Sequence, residues 1–149
     1  MLPRIFDVHA HVFSDDTAKR MTGSIATFYR EFELYPHGTG ALGDCLMQMD
    51  AAGISKFALN QVAMRPRLVE PINALILAAR DRHPDRVVPF AAIHPEQRDL
   101  DEYALRAKAA GFRGFKIHPD LQRFRLDGDA ALPMLRAIEA APPERKAAS

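Results

Sequence analysis

The sequence has a single cysteine, Cys45, among 149 residues. No internal disulfide can form, and a reducing compartment is the expectation. Neither sign of charge is in excess: 20 Lys and Arg stand against 19 Asp and Glu, a formal net charge of +1. That balance argues against a role driven by electrostatic attraction to nucleic acid or to a membrane surface. No apolar run approaches the ~20 residues that a membrane span needs. Asp7 and His9 interrupt the apolar stretch near the N-terminus, so it does not read as a signal-peptide core. Also lacking are G-x-S-x-G, G-x-G-x-x-G after a strand, G-x-x-x-x-G-K-[ST] and C-x-x-C. What is present is 48% apolar content, enough for a real core in about one domain. A soluble cytoplasmic protein is the expectation.

Four short apolar runs read as strands: "RIFDVHAHV", "SKFALNQVAM", "RVVPFAAIHP" and "FRGFKIHPD". Helical spacing fills the intervals. Residues 41 to 52 place Leu42, Cys45, Leu46 and Met49 on one face, and Gly53 reads as the stop. Residues 69 to 82 carry Pro71 in the first turn and Pro84 beyond the end. Residues 100 to 110 have Asp99 as a candidate cap and Gly111 as the stop. Residues 130 to 141 start near Asp129 and carry Leu132, Leu135 and Ile138. The order β-α-β-α-β-α-β-α predicts an α/β fold with a parallel sheet and right-handed crossovers. Residues 14 to 40 form a long insertion with Phe28, Tyr29, Phe32 and Tyr35, partly helical, that is either a substrate-facing loop or surface decoration. The tail "APPERKAAS" reads as disordered, so the domain is drawn at 1–141 with 142–149 as the tail. "PHGTGALG" opens a helix and reads as an anion site or, more simply, a flexible loop end.

The first strand carries the clearest chemistry. Alternation puts Ile5, Asp7, His9 and His11 on one face and Phe6, Val8, Ala10 and Val12 on the other. Histidines at i and i+2 have Cα atoms about 6.5 Å apart, and their rings can converge on one cation. They sit at the strand's C-terminal end, where β/α folds place their sites. The plain alternative is a pair of packed histidines. Asp7, one step deeper, reads as an orienter of the ligands or as a structural acid. In "GFKIHPDLQRF" the same alternation groups Gly114, Lys116 and His118. An interior strand lysine beside a histidine suggests a metal or substrate contact; an edge-strand lysine is the other reading. His94 ends the third run in an equivalent position. His37 and His83 read as surface residues.

The set "IFDVHAHVF", "MDAAGISKFALNQVAMRP", "DRVVPFAAIHP" and "GFRGFKIHPDLQRF" resembles the amidohydrolase-related family, over about residues 4 to 141. That family includes aminocarboxymuconate semialdehyde decarboxylase-like and related metal-dependent hydrolases. The resemblance implies the N-terminal half of a distorted (β/α)8 barrel with a divalent metal, usually zinc, at its C-terminal mouth. It also implies His9 and His11 as metal ligands. For Lys116 and His118 it is less specific: in some branches a strand-four lysine is carboxylated and bridges two metals, and in the decarboxylase-like branch it is no ligand.

Family members continue through strands five to eight, which bring two further histidines and the aspartate that activates water. Here four β/α units are present, so the expectation is a truncated or frameshifted product or an excised piece. Three functions follow. One is a metal-dependent hydrolase, or a decarboxylase, acting on a small carboxylate or amide-like substrate with the general base absent from this chain. Another is an inactive half-barrel remnant, and the third a metal-free binding module using the 14–40 loop. Ile5, Val88 and Phe90 are apolar candidates for the inward face, and two open sheet edges point to a homodimer.

Overall fold

Parallel strands need crossover connections, and helices with one apolar stripe supply them. The computed structural model describes residues 5–28 and 37–141. Its elements are β1 (Ile5–Ala10), α1 (Asp15–Phe28), α2 (Leu42–Ala51), β2 (Ile54–Leu59), α3 (Val69–Arg82), β3 (Val87–Ala92), α4 (Leu100–Ala109), β4 (Gly114–Lys116), α5 (Pro119–Gln122) and α6 (Leu132–Ala140). The strands form one sheet in the order β1-β2-β3-β4. All three neighbouring pairs are parallel. This is half the strand count of a (β/α)8 barrel. Tyr29, Phe32, Tyr35 and the 142–149 tail lie outside the described residues.

Local punctuation behaves as its chemistry dictates. Leu42, Cys45, Leu46 and Met49 all pack on the core from α2. Gly53 (φ 69°) and Gly111 (φ 94°) adopt the left-handed backbone that follows α2 and α4. Asp99 departs from expectation. It precedes α4, but its side chain caps nothing and its own φ is 53°. Only its main-chain carbonyl serves, accepting from the Tyr103 N–H at 2.9 Å.

The last helix also differs. It starts at Leu132, with Pro133 in its first turn, after a turn in which the Ala131 N–H donates to the Gly128 carbonyl. Its buried stripe is Met134 and Ala137, continued by Ala141, and Leu132 is 45% exposed.

The main core lies between sheet and helices. Phe57, Leu59, Val87, Ala91 and Ile93 meet Ile76, Tyr103, Phe112 and Met134 there. The opposite face of the sheet is thinly covered. Val88 and Phe90 are half-buried on it, while Ile5 is 45% exposed. Phe90 stands in register with Gly114, and a Cβ at Gly114 would overlap the Phe90 ring. Glycine is needed there for that close approach.

One polar brace ties β3 to the helices. The Ala92 N–H donates to Asn73 Oδ1 at 2.8 Å, and Asn73 Nδ2 donates to the Ala92 carbonyl at 3.2 Å. The Tyr103 hydroxyl also donates to that carbonyl and accepts from Asn73 Nδ2. Asn73 and Tyr103 are both buried. Asn73→Ala strands the Ala92 N–H without a partner. The expected loss is about 1–3 kcal/mol, read as a lowered urea midpoint; an unchanged midpoint would show that water replaces the amide.

Candidate active site

His9 of β1, His11 just past its end and Lys116 of β4 meet at the C-terminal ends of the strands. The rings of His9 and His11 contact edge to face, with centroids 4.7 Å apart. Lys116 Nζ lies 2.9 Å from His9 Nε2, across 107 residues of sequence, and its ammonium donates to that nitrogen. His11 Nδ1 lies 2.7 Å from the Asn60 carbonyl and donates to it. This fixes the ring's tautomer and turns Nε2 away from the main chain.

The protonation states follow from the surroundings. Burial pushes His11 down to about 4, against the hydrogen bond to Asn60, which acts in the other direction. His9 is also lowered, by partial desolvation first and by the Lys116 charge next, although its residue as a whole is exposed. Lys116 is itself lowered by desolvation. Near neutrality both imidazoles are therefore uncharged and can donate lone pairs.

The other expected residues separate into two groups. His118 stands close enough that its charge depresses both His9 and His11. Its Nδ1 accepts from the Leu121 N–H at 3.4 Å and caps α5, so ring orientation is set by that short helix. His94 is held by the main chain. It is 3% exposed, its Nδ1 accepts from the Glu96 N–H at 3.1 Å, and its ring also bonds to the Met64 main chain. The turn after β3 claims it, and it is not offered to the mouth.

Asp7 borders the same cavity as His9 and His11 and reaches His9 through its main chain. Asp7 pairs with Phe57 and Ala10 with Leu59, so three steps along β1 pass two along β2. This bulge breaks strict alternation. Asp7 sides with the buried Phe57, toward α2, where its charge raises the Cys45 thiol after burial has done so first. Its carboxylate accepts from the His9 main-chain N–H at 2.9 Å. Asp7 steers His9 through the backbone, rather than from beneath the rings.

Three amides complete the frame, and the sequence reading did not single them out. Gln122 Nε2 donates to the Ala63 and Ile93 carbonyls at 3.0 and 2.6 Å, while Gln122 Oε1 accepts from the His118 N–H at 2.8 Å. Gln61 Nε2 donates to the Val12 carbonyl at 2.9 Å. Asn60, 4% exposed, keeps Oδ1 without a hydrogen-bond partner beside the His11 anchor. The signal for Asn60 and Gln61 was their presence inside the otherwise apolar run "FALNQVAM". A cavity of about 300 Å³ adjoins the histidines, bordered by Thr22 and Ile25 of α1 and by Cys45 and Met49 of α2.

The donor set suits a divalent cation in kind. His11 Nε2 is available, and His9 Nε2 becomes available when Lys116 gives way. No cluster of three His, Cys, Asp or Glu side chains able to hold a metal occurs among the described residues. Catalytic zinc takes about three protein ligands, so the two imidazoles make up part of such a site.

A parallel β/α sheet with nitrogen donors at its C-terminal strand ends is the arrangement of β/α-barrel enzymes. The chain belongs to the amidohydrolase family, whose model matches residues 6–141. No curated protein matches it. Solved structures with the same fold include a 2,6-dihydroxybenzoate decarboxylase complexed with 2,6-dihydroxybenzoate. It is 21% identical, with a TM-score of 0.64, over 94% of this chain and 48% of that one. A 5-carboxyvanillate decarboxylase from Novosphingobium aromaticivorans, with bound manganese, is 21% identical with a TM-score of 0.66, over 93% of this chain and 48% of that one. A 4-oxalomesaconate hydratase from Rhodopseudomonas palustris is 16% identical with a TM-score of 0.55, over 89% and 48%. The chain thus spans about half the length of these proteins. No helix among the described residues is long and apolar enough to cross a membrane.

Proposed function

We propose that this chain carries part of the site of a metal-dependent enzyme acting on a small carboxylate. The observation behind this reading is the convergence of His9, His11 and Lys116 from opposite ends of the sheet. His9 and His11 would hold the cation. Zinc suits two imidazoles, and manganese is the metal in the 5-carboxyvanillate decarboxylase structure. When bound, the cation polarises a substrate oxygen or lowers the pKa of bound water toward ~7.

The chain's own residues supply the rest. Asn60 keeps His11 in the donating tautomer, and Asp7 fixes the His9 backbone. Lys116, with His118 beside it, presents positive charge to a substrate carboxylate. Decarboxylation is the reading favoured over hydrolysis, since two of the three solved structures described are decarboxylases. A catalytically inactive unit is the second reading, favoured by the absence of a third ligating side chain among the described residues.

Metal titration of the 149-residue chain by calorimetry tests the assignment. Weak binding that is lost on acidification toward pH 4 is expected, because each histidine must be neutral to ligate and the folded His11 ring charges only near there. The double variant His9→Ala, His11→Ala should abolish it. Lys116→Met should retain the metal yet lose metal-dependent binding of benzoate. Undiminished metal binding by the double variant sinks the reading.

A further inference from the structure

We propose that His94 is an acid-operated latch: neutral, it fastens the turn after β3 to the loop after β2, and protonated, it releases the Glu96 main chain so that the turn opens. Every group in this joint lies within residues 63–122. The latch stands whether or not the site binds metal.

The ring has no spare nitrogen. Its Nδ1 accepts from the Glu96 N–H at 3.1 Å, so Nε2 carries the hydrogen. The ring's second bond, to the Met64 main chain, favours the protonated ring and therefore ends on the carbonyl. His94 is 3% exposed, so bulk water replaces neither partner. The Gln97 N–H closes the turn further, donating to the His94 carbonyl at 3.0 Å. Beside this joint, Gln122 Nε2 donates to the carbonyls of Ala63 and Ile93, the residues just before Met64 and His94. The two loops are thus tied twice, once through an amide that does not titrate and once through an imidazole that does.

A proton on Nδ1 turns that acceptor into a donor. It then faces the Glu96 N–H, another donor, and the turn must part there. The Met64 bond survives, because Nε2 already donates. Burial holds the ring's pKa below its ordinary value, and the Glu96 carboxylate works against burial. Among the described residues Glu96 is the charged side chain that acts on the ring. The loop after β2 meets it with main chain, and α5 brings the uncharged Gln122 to the joint. Arg65, Arg67, Arg98, Asp99 and Asp120 are all exposed. Glu96 thus offers its N–H to the neutral ring and its carboxylate to the charged one, two arrangements that a single proton exchanges.

The sign follows from the direction of the shift. Above pH 6.5 the ring is neutral in the closed and in the open turn, and closure does not depend on pH. Below 6.5 the open turn takes up a proton that the closed one refuses, so closure weakens until the closed ring also charges. The tie through Gln122 is untouched, and with it the His118 N–H that Gln122 Oε1 accepts from. Acid therefore loosens the 94–97 rim of the mouth and leaves the strand ends joined.

Two NMR readings on the metal-free 149-residue chain test the latch. Nitrogen shifts of the His94 ring should show Nδ1 bare and Nε2 protonated at pH 7, with a pKa below 6.5. Amide hydrogen exchange, corrected for the pH dependence of the exchange chemistry, reads the protection of the Glu96 N–H. On acidification it should fall roughly tenfold for each unit by which the ring's pKa lies below 6.5. The fall should exceed that of the Ala92 N–H, which Asn73 holds. His94→Asn keeps an acceptor for the N–H two residues on and has no titrating group, so Glu96 should then follow Ala92. Glu96→Gln should lower the ring's pKa further, since the carboxylate that favours the charged ring is gone. A hydrogen on Nδ1 at pH 7, a ring pKa at or above 6.5, or a Glu96 protection that falls no more than that of Ala92 overturns the proposal. The wild-type comparison of ring pKa with Glu96 protection decides by itself if His94→Asn does not fold.

Discussion

Acidification from pH 7 to pH 4 is expected to destabilise the metal-free chain by about 3 kcal/mol through His11 alone. The folded-state value is lowered from the ordinary 6.5 to about 4. Above pH 6.5 the ring is neutral in both states and contributes no pH dependence. Below 6.5 the unfolded chain takes up a proton that the folded chain refuses, so stability falls with pH. The loss levels off once pH passes below about 4, where the folded ring also charges. His9 is lowered as well and acts in the same direction. Urea midpoints of wild type and His11→Gln at pH 7 and pH 4 isolate the effect, since all other titrating groups are shared. The wild type should lose more on acidification than the variant. Equal losses would show that His11 is charged in the fold.

Phe57→Ala is expected to cost about 3–5 kcal/mol. Phe57 is fully buried in β2 and is among the largest side chains with no solvent contact. It packs where the helices meet the sheet, so its removal leaves a cavity in the main core. Domains of this size are stable by about 5–15 kcal/mol, so the variant should lose much of its reserve. Thermal or urea unfolding measures this, and a loss under about 1 kcal/mol would mean that the site collapses around the smaller side chain. Because Phe57 opposes Asp7 across β1 and β2, the variant should also loosen the backbone that carries His9.

Much of this arrangement was legible in the residues. Strand order followed from alternating strand and helix patterns, punctuated by Gly53, Gly111 and Pro84. The meeting of His9, His11 and Lys116 was legible because period-two alternation and strand-end position both pointed to one mouth. What failed was anything depending on local departures from regularity. The bulge between Asp7 and Ala10 has no glycine to announce it, so the main-chain hydrogen bond from His9 to Asp7 could not be read from alternation. His94 occupies a strand-end position like the others, and only the turn after β3 decides that its ring bonds to the main chain. Leu132 fits the apolar helical pattern, but Met134 and Ala137 take the core. Gln122 sits in a four-residue helix too short to have a pattern of its own.

The contact between Phe90 and Gly114 has a consequence for Lys116. Gly114 lies two residues before Lys116 on the same strand, about 6–7 Å along it. With no side chain at Gly114, the Phe90 ring can spread across the interior at that level. The Phe90 ring thus lies one level below Lys116 on the face that β3 and β4 share, and a side chain at Gly114 would displace it and disturb the strand that carries the lysine.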